Sequence, residues 1–208
     1  MKRHITLLLF AIALVSPLVS GAERETVAIA ITGNGSVAEV IHGPSYVLRV
    51  SGAGRKPVEI SLHRISEVID VSPSPKLAWS WDSQYIAVRY DAGEESRVAE
   101  VFNVENGRRV WSGNVTEVAW GLAHSLLVVP MYPLDEMQAA RGLLVVDVET
   151  KRSKKAADAY FFSGEMHSSR SFVVARVAKV TRGVRDNCVI RVDLTNGDAR
   201  DISCQRED

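Results

Sequence analysis

Phe102-Asn103-Val104-Glu105-Asn106-Gly107, Val146-Asp147-Val148-Glu149-Thr150-Lys151 and Val192-Asp193-Leu194-Thr195-Asn196-Gly197 are three versions of one phrase, spaced 44 and then 46 residues apart. Each closes an apolar run on Asn or Asp and then turns. Asn and Asp fold their side chains back onto the following backbone, and Gly takes the positive φ that such a turn needs. A second apolar run precedes each phrase, at Ile86-Ala87-Val88, Leu127-Val128-Val129 and Val173-Val174-Ala175, so every phrase reads as the tip of a hairpin. A Trp stands ahead of the first two, Trp81 or Trp120. Each unit thus amounts to about four short strands, and residues 26–63 hold two further hairpin-like pairs that supply another unit.

The same pattern runs along the whole chain from residue 26. Thr26 to Ile31, Ser36 to Ile41, Tyr46 to Val50, Tyr85 to Tyr90, Val98 to Val104, Leu143 to Val148, Phe172 to Val177 and Val189 to Leu194 are short β-branched runs bounded by turn residues. Asn-Gly recurs at 34–35, 106–107 and 196–197. A single helical turn is expected from Asp135 to Arg141, after Pro133 and before Gly142. The fold class expected is all-β: a propeller-like array of about four four-stranded antiparallel units, with a β-sandwich or an open arc as alternatives.

The stretch Leu77-Ala78-Trp79-Ser80-Trp81-Asp82-Ser83-Gln84-Tyr85-Ile86-Ala87-Val88 resembles the recurring phrase of β-propellers of the Trp-Asp-repeat and Tol-system periplasmic type. In those families a strand ends in Trp-Ser, turns through an Asp and resumes with an aromatic-aliphatic strand. The likeness extends over most of residues 70–202 and is sharp at 77–112. It implies a scaffold of blades whose connecting loops carry the function.

The amino terminus reads differently. Lys2 and Arg3, the apolar run Ile5 to Val15 and the small residues Ser20-Gly21-Ala22 form the three parts of a secretory signal peptide, with cleavage expected after Ala22. Pro17, Ser16 and Ser20 cut the apolar run short of the ~20 residues a membrane span requires. Residues 1–22 are therefore set aside and 23–208 are read as one domain, periplasmic or secreted, with no membrane span in the mature chain. In an oxidising compartment a lone pair of cysteines reads as a disulfide. Cys188 and Cys204 flank Asn196-Gly197 symmetrically and are expected to face each other across one antiparallel pair. Lys and Arg total 25 against 25 Asp and Glu, so no net charge steers the chain toward nucleic acid.

The sequence holds no nucleophile elbow, zinc-protease motif, phosphate-binding loop or Cys-x-x-Cys, and no cofactor is expected. Asp82, His124 and His167 each precede a serine at what the repeat makes an equivalent turn, which marks them as weak candidates for a metal site and otherwise as polar turn residues. Trp79 and Trp81, two apart, and Trp120, aligned with Trp81, are expected to pack between units; a sugar-stacking platform is the alternative. Three loops fall on one rim: an acidic one with Glu94 and Glu95, a longer one with Met131, Tyr132, Leu134 and Met137, and a basic one with Lys179, Arg182 and Arg185. An apolar centre flanked by opposite charges has the anatomy of a protein-binding patch. The expected function is a non-catalytic exported module that presents this rim to another protein of the envelope or outside the cell. A metal-dependent hydrolase and a glycan-binding domain are the alternatives.

Overall fold

The computed structural model describes residues 24–52, 54–62, 75–91, 97–121, 124–130, 142–157, 161–181 and 184–206. Fifteen strands run through them and no helix occurs among the described residues. The first four strands are β1 (Glu25–Ile31), β2 (Val37–His42), β3 (Val47–Gly52) and β4 (Arg55–Ser61). Then come β5 (Lys76–Trp79), β6 (Tyr85–Asp91), β7 (Arg97–Asn103), β8 (Arg109–Trp120), β9 (Ser125–Pro130), β10 (Leu143–Asp147) and β11 (Ser153–Ala157). The chain ends with β12 (Phe161–Ser168), β13 (Phe172–Thr181), β14 (Val184–Asp193) and β15 (Ala199–Arg206). All pairing is antiparallel, between strands consecutive in sequence, in three sheets: β1 to β4, β5 to β11 and β12 to β15.

The all-β class expected from the sequence is observed, but four separate four-stranded units are not. The reason lies in β8. Its first half, Arg109–Asn114, pairs with β7, and its second half, Val115–Trp120, pairs with β9. One strand of 12 residues thereby closes one unit and opens the next, and the two merge into a single seven-stranded sheet. Sheets of four, seven and four strands overturn the resemblance to Trp-Asp-repeat and Tol-system propellers, which rests on local phrases that hairpins of other β folds share. An arc or a layered arrangement of sheets is compatible with what is seen.

The repeated phrase is nonetheless a real structural unit. Asn103, Asp147 and Asp193 each end a strand, and each side-chain Oδ1 accepts the backbone N–H groups two and three residues on. The next residue, Val104, Val148 or Leu194, is buried and donates its N–H to the residue just before the preceding strand, to Gln84 before β6, His124 before β9 or Ser171 before β13. Five residues link the strands each time, and the fourth has a left-handed backbone: Gly107 (φ 69°), Lys151 (φ 58°) and Gly197 (φ 73°).

Three apolar clusters hold the sheets together. Ala38, Val40, Leu48 and Leu62 of the first sheet region meet Ile86, Val88, Tyr90 and Phe102. Tyr85, Ala87, Val101 and Val115 meet Trp120, Leu126, Val128 and Val146 within the curl of the seven-stranded sheet. Leu127, Leu143 and Ala119 meet Val173, Ala175, Ile190 and Leu194 of the last sheet. Residues 85–90 of β6 are buried on both faces, which explains why that strand shows no polar alternation. Full burial of a Leu such as Leu126 or Leu127 is worth about 1.5–3 kcal/mol.

One side of the last sheet is closed covalently. Cys188 and Cys204 are direct partners in the β14–β15 ladder and form a disulfide with Cα atoms 4.1 Å apart. This is the pairing the sequence symmetry predicts, and it fits an oxidising extracytoplasmic compartment. The expected signal peptide at 1–22 and the expected helical turn at 135–141 lie outside the described residues. No helix among the described residues is long and apolar enough to cross a membrane.

Candidate functional site

A cavity of about 580 Å³ opens where four strand ends converge. Its wall comprises Thr32 and Gly33 after β1, Ala78 to Trp81 and Ser83 at the end of β5, Glu117 to Trp120 at the end of β8, and Met166 to Ser168 of β12. The volume lies within the range of about 300–1,000 Å³ typical of small-molecule sites.

Tryptophans build this wall, and each is held by its indole N–H. Trp79 donates to the Ala30 carbonyl (3.1 Å), Trp120 to the Ala78 carbonyl (2.8 Å), and Trp81 to the Trp120 carbonyl (3.3 Å). Trp79 and Trp120 are thus equivalent: each ends its strand and ties it to the strand of the preceding unit. The sequence alignment of Trp120 with Trp81 is out of register by two residues. The packing role expected for the tryptophans holds for Trp79, which joins the first cluster, and for Trp120, which is 3% exposed. Trp81 is different, with 49% of its surface exposed on the cavity wall.

The turn that carries Trp81 is rigid. Ser80, 2% exposed, donates its hydroxyl to Asp82 and accepts the Tyr85 N–H at 2.9 Å, while Asp82 Oδ1 accepts the Gln84 N–H at 3.0 Å. Ser83 has the left-handed φ of 59°. Behind the wall, Arg89 on β6 is 7% exposed, donates to the Thr116 carbonyl and lies 3.4 Å from Glu117. Burial pushes the Arg89 guanidinium below its ordinary range, against the upward pull of Glu117. Lys76 reaches the other Glu117 oxygen at 3.9 Å. Sequence reading missed Glu117 and Arg89, although a lone Arg inside the apolar run of β6 is the signal of a buried charge needing a partner.

Asp82, His124 and His167 do not meet. Asp82 serves the Ser80 turn, His124 stands in the turn before β9, and His167 lies within β12 opposite Val174, two residues before the position equivalent to Ser80. Only His167 of the three is on the cavity wall. Among the described residues no three His, Cys, Asp or Glu side chains are placed to share a metal ion. His124 belongs to a different cluster, with Nε2 3.1 Å from Asp147 and Nδ1 3.7 Å from Glu149, whose second oxygen accepts the Tyr85 hydroxyl. Burial and the Glu149 carboxylate push Tyr85 up to about 12. Burial alone would raise Asp147, but the Thr150 N–H, His124 and the Glu149 N–H together hold it below the usual carboxylate value.

The expected loop patch lies almost wholly outside the described residues: Glu94, Glu95, Met131, Tyr132, Leu134, Met137 and Arg182 among them, and of Arg185 only the backbone is described, pairing with Val180. What is visible instead is an apolar strip on β1, where Ile29 and Ile31, two apart on one face, are 59% and 66% exposed.

No family model matches this chain, and no curated protein matches it. Among solved structures it is similar to the uncharacterized protein lmo1340 of Listeria monocytogenes, with a TM-score of 0.52 and 13% identity, over 88% of this chain and 54% of that one. The chain therefore spans about half the length of that protein. A puromycin-hydrolyzing peptidase of Mycobacterium tuberculosis aligns with a TM-score of 0.33 and 16% identity over 84% of this chain and 36% of its own, too loosely to carry an argument. The first likeness is one of fold.

Proposed function

We propose that this chain is a non-catalytic binding module of the periplasm or the secreted milieu, released from a signal peptide after Ala22, that docks another protein. The observation that carries the reading is the β1 strip. Two isoleucines more than half exposed on one strand face offer an apolar surface that a partner protein can bury. The disulfide supports the compartment. Binding is favoured over catalysis because two polar groups of the cavity wall hold strands instead: the Ser80 hydroxyl is engaged by Asp82 and Tyr85, and Glu117 by Arg89 and Lys76.

The test combines export and capture. N-terminal sequencing of the exported protein is expected to begin at Glu23. Crosslinking in the native compartment is expected to yield one dominant protein adduct that disappears with Ile29→Ser plus Ile31→Ser, at a melting temperature within a degree or two of the parent. The triple variant Met131→Ser, Tyr132→Ser, Leu134→Ser tests whether the loop rim contributes to the same interface. An adduct that survives both sets of substitutions overturns the reading.

A further inference from the structure

The three cavity tryptophans divide into two that hold the fold and one that does not need its exposed face for it. Trp79 and Trp120 are embedded in apolar clusters, whereas Trp81 leaves half its surface to water while its N–H fixes the ring to the Trp120 carbonyl. A flat apolar surface held in place before binding loses little side-chain freedom when a ligand stacks on it.

The rest of the wall shows what kind of ligand that is. His167 is exposed on it and its side chain makes no hydrogen bond to a described residue, so an imidazole stands on the same wall as the ring. No Lys or Arg lines the cavity among the described residues, and these offer a phosphate or carboxylate no cationic partner. Glu117, the one carboxylate among the described wall residues, is already neutralised by Arg89 and Lys76, so a cation is not called for either. The remaining chemistry is a neutral ligand with an apolar face and a hydrogen-bonding edge. A pyranose ring has both: axial C–H bonds on one face and hydroxyl or acetamido groups around the rim.

We infer that the cavity binds a neutral saccharide, with one hexopyranose stacked on Trp81 and its polar edge held by His167. This inference does not depend on the protein-partner reading.

Calorimetric titration of the whole exported chain with maltotriose and with tri-N-acetylchitotriose tests it. Saturable binding of one of the two in the millimolar range or tighter is expected. Trp81→Ala is expected to weaken that binding at least tenfold, while Trp81→Phe, which keeps a smaller platform, keeps most of it. His167→Ala is expected to weaken it by several fold without moving the melting temperature. Should Trp81→Ala fail to fold, the contrast between Trp81→Phe and His167→Ala carries the test. Absence of saturable binding of either trisaccharide to the folded parent overturns the inference. So does binding unchanged in both Trp81→Ala and His167→Ala, which would place the sugar elsewhere.

Discussion

Trp120 donates its indole N–H to the backbone carbonyl of Ala78 at 2.8 Å, reaching from the last position of β8 to the strand that opens the same seven-stranded sheet. The bond crosses the sheet's curl: β5 and β8 are not ladder partners, and it is their closest polar link among the described residues. Trp79 repeats the arrangement one unit earlier with Ala30 of β1. Indole-to-carbonyl ties thus set the spacing of the strand ends that frame the cavity.

Replacing Trp120 by Phe keeps most of the apolar volume and removes the donor. Because Trp120 is 3% exposed, the Ala78 carbonyl loses its partner where water does not readily replace it. A cost of about 1–3 kcal/mol is expected. Urea denaturation reads the loss, and an unchanged midpoint would show that water takes the place of the indole.

Lys151 occupies the turn position that Gly107 and Gly197 fill in the equivalent hairpins, with φ of 58° against 69° and 73°. A side chain in the left-handed region carries a steric cost of about 1–2 kcal/mol, partly offset by the greater freedom that Gly would have in the unfolded chain. Lys151→Gly is therefore expected to stabilise the protein by about 0.5–1 kcal/mol. The melting temperature is the measurement; a decrease would mean that the lysine makes a compensating contact.

Tyr85 provides the pH dependence. Its hydroxyl, buried and bonded to Glu149, is pushed up to about 12 from an unfolded value near 10. A folded value raised above the unfolded one favours the neutral form of the folded protein. The resulting stability is fully present below pH ~10 and is lost as pH rises through the window from about 10 to 12. Tyr85→Phe is expected to flatten the alkaline limb of a plot of melting temperature against pH. Parallel limbs for the two proteins would remove Tyr85 from the account.

The hairpins were legible from the sequence because their determinants are local: Asn103, Asp147 and Asp193 cap their own turns, and Gly or Lys four residues on supplies the reversal. The disulfide was legible for the same reason, since its register follows from one turn. Sheet membership was not. Gly113 and Asn114 sit inside β8, at the point where its pairing passes from β7 to β9, and the four-unit reading has no place for such a shared strand. Which partner such a strand chooses is decided by distant clusters, and a repeated phrase carries no trace of that choice. The same blindness put Trp81 in the place of Trp79: two tryptophans two residues apart look alike until one reaches Ala30 and the other reaches Trp120.

The disulfide carries the last prediction. Every residue of β15 is exposed, Ile202 among them at 58%, so the strand gains little from burial and depends on its ladder with β14. Cys188 lies in the core at 2% exposure, and the bond to Cys204 fastens the strand to it. With a sequence separation of 16, the closed loop is worth roughly 3 kcal/mol in the chain-entropy treatment. Cys188→Ser with Cys204→Ser also puts a hydroxyl into an apolar cluster, so Cys188→Ala with Cys204→Ser is the cleaner pair. Either pair is expected to lower the melting temperature and to open cleavage sites beyond residue 193 to trypsin, at Arg200 and Arg206 first, while the hairpins of the seven-stranded sheet stay protected. Limited proteolysis followed by mass spectrometry distinguishes this from a general loss of structure, in which cuts at Arg89 and Arg109, within the central sheet, would appear at the same rate.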